Sequence, residues 1–483
     1  MFRFAVEQFP RYARGMGLED EVGRLRTENA QLWEQLRVAL EQLAQALARI
    51  EQLERELKDI KNAKNALPSF VKPNTPKSKL KDTTENKPRR KRAKDQNGAR
   101  RREQMPTQII QHNIETCPEC GYGLSQTQLA GRRQVIELPP PQPVEVTEHQ
   151  LYKSWCARCQ KWHYPSVDLS TAVIGQSRMG VRIASLIAYL RTCLRMPVRL
   201  IREYLHTMHR LRISTGEIVD LLHRVAETER VKQATQAIKE RVRESRIVHG
   251  DETGWREKGQ NGYIWLFCTP QGERYYEYDH SRAGAVAKRI LGSDFNGTLV
   301  TDFYAAYNDL PCEHQRCWVH LLRDLHELKE EHKGNEAVLG WATALRKVYD
   351  TAQHILSGPS PPTQQQREVL YIQSVEGAAE LARQYANAKQ HHTHPCHTLC
   401  KRLLLHLDGL FQFVLQEGVS ADNNLAERSV RPVVVMRKVS GGSQSGRGSR
   451  TRMTLASLFG TWRAKGLNPF TECLFLLSHP LTP

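Results

Sequence analysis

Residues 18–60 repeat every seven, and no other feature constrains this chain as strongly. One seam runs Leu18, Leu25, Leu32, Ala39, Ala46, Leu53, Ile60; the other runs Val22, Asn29, Leu36, Leu43, Ile50, Leu57. An apolar stripe of that period suits a helix that winds on another helix, and about six heptads specify a coiled coil. Asn29 falls in the second seam, where one buried amide costs stability and fixes register and strand number. The segment reads as a parallel dimer; a long amphipathic helix packed on its own protein is the alternative. Pro68, Pro73 and Pro76 then end the helix, because proline lacks the N–H and clashes with the preceding turn.

The positive charge is concentrated just beyond. Of a formal net charge of +18, much lies between Lys72 and Arg102, a run that includes Arg89, Arg90, Lys91 and Arg92 and is opposed only by Asp82, Glu85 and Asp95. Almost no aromatic or branched aliphatic residue accompanies it, so this segment is expected to be disordered when free. It reads as a solvated linker, as a DNA-binding arm that orders on contact, or as both. Basic excess favours a polyanion such as nucleic acid over a membrane surface, since no amphipathic face accompanies the charges. No stretch is long and apolar enough to span a bilayer, and "MFRFAVEQFP" lacks the features of a signal peptide.

Eleven cysteines, an odd number, include two C-x-x-C pairs. That usage points to metal-bound thiolates in a reducing cytosol rather than to a disulfide framework. Cys117, Cys120, Cys156 and Cys159 can close a four-sulfur tetrahedral Zn²⁺ site, with redox use of the pairs as the rival. The intervening "QVIELPPPQPVEVTEHQLYKSW" reads as two strands around a proline-rich turn, as in a zinc ribbon.

Residues 178–245 read as helices, "VRIASLIAYL", "PVRLIREYLHTMH" and "STGEIVDLLHRVAE". Pro197 suits a first helical turn and Ser214 or Thr215 a cap. The pattern fits a helix-turn-helix, or equally three packed helices that touch no DNA. From 246 the texture becomes strand-like, "RIVHG", "YIWLFCT", "ERYYEYD" and "GTLVT", with "NG" at 261–262 and "QG" at 271–272 as hairpin turns. Residues 325–415 are helical again around the loop "SGPSPPTQQQ".

Three acids stand out. Asp251 follows the strand "RIVHG", Asp302 follows "TLV", and Glu427 lies on a helix starting near Asp422. Carboxylates so distributed can converge and hold two Mg²⁺ or Mn²⁺ ions about 4 Å apart, which would activate a water or a DNA 3′-hydroxyl. Glu252 points the other way on an extended chain and reads as a supporting or surface residue. Asp422 is a rival third acid, but a helix cap explains it. Asn423, Glu427 and Arg431 share a helical face, so Arg431 could orient the carboxylate or touch a phosphate. Asn423 and Asn424 could contact DNA, orient ligands or stabilise the helix start. "GGSQSGRGSR" lacks the P-loop lysine, so nothing argues for ATP; Arg437, Lys438, Arg447, Arg450 and Arg452 around it suit the DNA backbone. "HHTHPCHTLC" at 391–400 reads as the end of a loop before a helix, ahead of a second zinc site.

"HGDETGW", "LVTDFYAAYN", "RCWVHLLRDL" and "DNNLAERSVRPVVVMRK" together resemble the catalytic signatures of the insertion sequence 66 family of bacterial transposases, and the upstream order of segments is similar. The resemblance implies a DDE transposase with an RNase H-like core and an α-helical insertion before the last acid. It implies catalytic acids at Asp251, Asp302 and Glu427. It matches the family's cysteine-x-x-histidine signature to Cys317 and His320, which would steady the active site or the transposon end rather than bind metal. The arginine-rich stretch near 447 departs from the family's usual pattern.

The expected fold is multidomain α+β: a coiled-coil helix over 1–67, a basic linker over 68–105, a zinc ribbon over 106–168, a helical DNA-binding domain over 169–245, the core over 246–324 and 418–483, and the insertion over 325–417. The expected function is binding of terminal inverted repeats in double-stranded DNA, then Mg²⁺-dependent cleavage and strand transfer. A homodimer or higher oligomer in the bacterial cytoplasm, associated with the nucleoid, would act with or without accessory proteins of the same element. A DNA-binding regulator with an inert core, or a nuclease that does not join, are the alternatives.

Overall fold

The heptad segment is a single helix. In the computed structural model, which describes residues 18–65, 104–125, 128–387 and 391–479, α1 spans Leu18–Asn65. Val22, Leu25, Leu32, Leu36, Leu43, Ile50 and Leu53 along its seams are 45–64% exposed, so the apolar stripe is uncovered. The basic residues Arg89, Arg90, Lys91 and Arg92 lie outside the described residues.

The chain divides into two compact units, Met1–Val135 and Ile136–Pro483. In the first, Cys117 and Cys120 sit on a tight turn closed by bonds from Cys117 N to Tyr122 O (2.8 Å) and from Gly121 N to Cys117 O (2.9 Å).

The second unit starts with an exposed extended stretch. Strands were expected to flank its prolines, yet residues 136–153 form none. Pro139, Pro140, Pro141 and Pro143 supply no N–H and fix φ, so this stretch cannot build a ladder. The hairpin forms around the second cysteine pair instead. Strands β1 (Ser154–Cys156) and β2 (Lys161–His163) run antiparallel, with Trp155 opposite Trp162.

Four helices follow: α2 (Val181–Thr192), α3 (Val198–His209), α4 (Thr215–Glu227) and α5 (Glu229–Arg243). Pro197 precedes α3, and the Ser214 hydroxyl accepts from Glu217 N to cap α4, as the sequence suggested. Ile187, Ile201, Leu205, Ile218 and Val225 form their common core.

A five-stranded mixed sheet comes next, in the order β5–β4–β3–β6–β7. Its strands are β3 (Ile247–Glu257), β4 (Gln260–Cys268), β5 (Arg274–Asp279), β6 (Thr298–Thr301) and β7 (Glu313–Arg316), with α6 (Gly284–Leu291) between β5 and β6. The first three strands are antiparallel; β6 lies parallel to β3, and β7 parallel to β6.

Two local expectations need correction. Strand β3 does not end at Gly250 but continues through Glu257, so Asp251 is mid-strand. The first hairpin turns at Lys258 and Gly259, both at positive φ (50° and 79°), not at Asn261–Gly262. Two consecutive left-handed residues match the twist of a two-residue hairpin. Gly262 is glycine for another reason: a Cβ there would lie 2.4 Å from the Tyr278 hydroxyl.

The apolar run "YIWLFC" fills both faces of β4, as expected of a strand covered on two sides. Trp265 and Phe267 face the core shared with α2–α5, while Ile264, Leu266 and Cys268 face the opposite layer.

Residues after β7 build a helical layer with its own core: α7 (Trp318–Glu331), α8 (Glu336–Leu356), α9 (Gln364–Ala386) and α10 (His397–Leu405), packed through Leu321, Leu325, Val338, Trp341, Leu345 and Ala378. Around 391–400, His394 stacks on Tyr385, His397 Nδ1 bonds Tyr385 O at 2.8 Å, and Cys396 and Cys400 are buried. Three helices close the chain: α11 (Asn424–Ser440), α12 (Gly446–Ala464) and α13 (Pro469–Ser478). α11 buries Ala426, Val430, Val433 and Met436 against the sheet, opposite α2–α5. No described helix is long and apolar enough to cross a membrane.

Candidate active site

Strand register brings the first two acids together. In the parallel pair, His249 is opposite Val300. Continuing two residues along each chain sets Asp251 beside Asp302, on the same side of the sheet because side chains alternate. Asp302 lies one residue past β6, where the chain turns: its Oδ1 accepts from Tyr304 N at 2.9 Å. Buried Arg316 grips this turn, donating to Thr301 Oγ1 (2.7 Å), Asp302 O (3.1 Å) and Asn308 Oδ1.

Glu427 lies on the first turn of α11, near enough for its charge to act on Asp251. The helix is docked by Asn423, its N-cap residue, which is 2% exposed. Asn423 Nδ2 donates to Gly250 O at 2.8 Å, and its Oδ1 meets His249 Nδ1 at 3.1 Å. That pairing assigns the proton of the neutral imidazole to Nδ1, and burial pushes His249 down to about 4, so it stays neutral. Asn423, not Asp422, holds the N-cap position of α11, but Asp422 Oδ1 accepts from Asn424 N at 2.9 Å and shapes the turn into the helix.

Electrostatics agree with convergence. Asp251 is pushed up to about 8, first by burial, then by the negative charges of Glu252, Asp302 and Glu427, against the Glu252 N–H that bonds it. Glu252 does point away from Asp251, but it is no surface residue. Its side chain is 3% exposed, paired with Arg282 Nη2 at 2.6 Å and accepting from Tyr307 Oη at 2.5 Å. Arg282 in turn stacks over Tyr304, which neighbours Asp302.

Cys317 and His320 stand beside the third acid. Cys317 N donates to Thr301 O (2.8 Å), Cys317 Sγ accepts from Asn423 N (3.2 Å), and Trp318 N donates to Ala421 O (2.9 Å). This corner therefore joins β6, α7 and the entry to α11. His320 Nε2 lies 3.8 Å from Glu427 Oε1, and ligand atoms of Cys317, His320 and Glu427 all fall within 4.8 Å of one another. Glu427 Oε1 is buried with no hydrogen-bond partner. A second such group is Cys156, Cys159 and His163 on the β1–β2 hairpin. The signal for His163 in the sequence is the C-x-x-C-x-x-x-H spacing it completes with Cys156 and Cys159.

The arginines near α11 and α12 divide. Arg437 is half-buried, donating from Nη1 to Thr253 Oγ1 (3.3 Å) and to Gly254 O, so it pins α11 to β3. Arg447 forms a two-bond pair with Glu227 (2.6 Å each). Arg452 lies over Trp255 and is pushed down to about 9 by burial. Arg431, Lys438 and Arg450 are exposed. Thus Arg437 and Arg447, expected on DNA, are engaged within the protein.

The fold is a mixed five-stranded sheet layered by helices, with a cysteine-bearing hairpin ahead of it in the chain. The chain belongs to the IS66 transposase family: the family model described as "Transposase IS66 family" matches residues 176–451, and that of the zinc-finger binding domain of transposase IS66 matches 115–160. Among curated proteins it is similar to the uncharacterized protein y4qI of Sinorhizobium fredii, 25% identical over 274 residues, 51% of this chain and 49% of that protein. It is also similar to the uncharacterized protein y4jD of the same organism, 27% identical over 213 residues, 40% of each chain. The chain spans half or less of the length of these relatives. Among solved structures, a simian T-cell lymphotropic virus intasome in complex with PP2A regulatory subunit B56 gamma matches at 13% identity and a TM-score of 0.13. That match covers 32% of this chain and 66% of that one.

Proposed function

We propose that this chain is a DDE transposase that cuts DNA at transposon ends and joins the freed 3′-hydroxyls to target DNA. The observation that carries the reading is the strand register that sets Asp251 beside Asp302, with Glu427, whose charge acts on Asp251, on the first turn of α11. Sheet order β5–β4–β3–β6–β7, antiparallel then parallel, supports an RNase H-like core interrupted by the helices of 325–417.

The three carboxylates offer hard oxygen ligands that fit Mg²⁺ or Mn²⁺, and the orphaned Glu427 Oε1 suits that role. A bound pair of such ions would make the attacking hydroxyl more acidic and offset charge on the departing oxygen. The protein's own part is positioning. Asp251 sits on a strand paired on both sides, Asp302 on a turn gripped by Arg316, and Glu427 on a helix pinned through Asn423. The attacking oxygen comes from water for cleavage and from DNA for joining, so no covalent link to the protein is needed.

The rest of the chain serves assembly and DNA. The uncovered seam of α1 supports a parallel coiled-coil dimer. Zinc is supported by the zinc-finger family match, with Cys117, Cys120, Cys156 and Cys159 supplying thiolates. DNA would meet the basic run at Arg89–Arg92, the α2–α5 domain, and Lys438 and Arg450. Such a protein would work in the bacterial cytoplasm at the nucleoid, alone or with proteins of its element.

The test is incubation of end-bearing duplex DNA with Mg²⁺ and wild-type, Asp251→Asn or Glu427→Gln protein. Cleaved and joined products from wild-type alone are expected. Cleavage without joining would reduce the chain to a nuclease, and equal activity in the variants would end the proposal.

A further inference from the structure

Glu427 belongs to two ligand sets. One is the all-oxygen set with Asp251 and Asp302 that the proposed function assigns to it. The other is the mixed set with Cys317 and His320, whose ligand atoms cluster within 4.8 Å. We propose that Cys317, His320 and Glu427 form a site for one thiophilic divalent cation of the Zn²⁺ class, and that its binding withholds Glu427 from the Mg²⁺ ligand set. The proposal rests on the reading above for its consequence, not for the site itself.

The geometry is close to what such an ion needs. Bonds of about 2.0–2.3 Å to sulfur, nitrogen and oxygen in a tetrahedron put ligand atoms about 3.5 Å apart. His320 Nε2 and Glu427 Oε1 stand 3.8 Å apart, too long for a hydrogen bond and near that edge length. Glu427 Oε1 has no hydrogen-bond partner, so drawing it toward a cation breaks nothing. Side chains of His320 and Glu427 are 30% and 37% exposed, which leaves a path for the ion and room for a water in the fourth position.

The ligand types decide which ion. A thiolate and an imidazole add little for Mg²⁺, which prefers oxygen, but favour zinc, cobalt and cadmium. The cysteine is also placed for it. Cys317 opens α7 after a backbone bond to Thr301, the residue before Asp302, and its Sγ receives the Asn423 N–H at 3.2 Å. The spacing C-x-x-H across the first helical turn brings His320 over the same point.

The site offers a way for soft-metal levels to set activity. With Zn²⁺ bound, Glu427 is held toward α7 and the hard set is left with two acids. Removing Zn²⁺ returns the carboxylate.

The experiment uses the full chain with its ribbon already filled with zinc, titrated with Co²⁺ in the absence of DNA and Mg²⁺. Wild-type is expected to bind one further Co²⁺ per chain with a thiolate-to-cobalt absorption band. Cys317→Ser should lose that band, and His320→Ala should weaken binding by at least about 10-fold, the scale already produced by losing a supporting group. His320 is partly exposed, so its replacement keeps the question answerable if Cys317→Ser fails to fold. An unchanged band in either folded variant, or no further Co²⁺ in wild-type, overturns the site. In the second arm, micromolar Zn²⁺ should suppress Mg²⁺-driven cleavage by wild-type and a chelator should restore it. Full activity with the site spectroscopically filled overturns the withholding of Glu427. A chain that never cleaves DNA refutes the transposase reading, while the absorption band still decides the site.

Discussion

Asn423 and Gly250 are joined by a 2.8 Å hydrogen bond from the asparagine side-chain amide to the glycine carbonyl, which ties the residue before Asp251 to the helix that carries Glu427. The same amide oxygen meets His249 on the other side. Because Asn423 is buried, both bonds are shielded from water and neither partner has a ready substitute. Asn423→Ala strands the Gly250 carbonyl and the His249 N–H, at a cost of roughly 2–4 kcal/mol for two buried polar groups. Urea unfolding should show the lower midpoint. DNA cleavage should fall further than the folded fraction at the assay condition does, since Glu427 loses its anchor. An activity loss matching the unfolded fraction would reduce Asn423 to a structural residue.

Asp251 gives a prediction of opposite signs with and without metal. Its folded pKa, about 8, lies above the ordinary 3.8. The proton it holds therefore stabilises the fold fully below 3.8, and this contribution is lost as pH rises through about 8. Asn cannot ionise. In EDTA at pH 9, Asp251→Asn should be the more stable protein by on the order of 3–5 kcal/mol, the gap shrinking to nothing in acid. In Mg²⁺ wild-type alone gains, by about 2.7 kcal/mol at one hundred times its dissociation constant. Calorimetric melting of both proteins in both buffers checks it; a variant less stable than wild-type in EDTA at pH 9 contradicts a crowded, charged Asp251.

The legible parts of this chain were those fixed by local periodicity. The long α1 helix, the Ser214 cap and most of the strand runs follow from spacing along the sequence. What spacing could not give is pairing partners. β3 runs past Gly250 because β4 returns alongside "ETGWRE", a fact set by the turn at Lys258–Gly259 rather than by strand propensity. An arginine in a basic stretch looks the same in sequence whether it faces solvent, Gly254 or Glu227, so spacing does not reveal the bonds of Arg437 and Arg447 within the protein. Asn423 was noted only as one of several options, since its partners His249 and Gly250 lie far back in the chain. The prolines at 139–143 look like a turn between strands, yet the extended residues on either side of them pair with no strand.

Glu273 supplies a pH test away from the acids. Burial alone pushes its carboxyl up, but bonds from Lys465 Nζ (2.6 Å), Arg241 Nε (3.0 Å) and Thr269 Oγ1 (3.0 Å) outweigh it and hold Glu273 at about 2. Since this lies below the ordinary 4.5, the stabilisation is present above 4.5 and is lost as pH falls through about 2. The cluster ties the β4–β5 hairpin to α5 and the end of α12. Glu273→Gln should cost about 2 kcal/mol at pH 7, discounted for the half-exposed Arg241, and progressively less below pH 4.5. Denaturation series at neutral and acid pH give the difference; a cost that does not shrink in acid would mean packing, not charge, holds this corner.

The arginines separate fold from DNA contact. Arg437 is committed to Gly254 and Thr253 across the α11–β3 interface, so Arg437→Ala should lower stability by about 1–2 kcal/mol through the loss of these half-buried bonds. Lys438 and Arg450 are exposed, and their joint replacement by Ala should leave the melting temperature unchanged. If both meet phosphates, that double variant releases about two fewer counterions. The slope of log K against log salt for duplex binding then becomes shallower by about 1.8. Binding isotherms across a salt series read this directly, for wild-type and both variants. An unchanged slope in the Lys438/Arg450 variant would move the DNA path off the α11–α12 corner and back to the α2–α5 helices and the basic run around Arg89–Arg92.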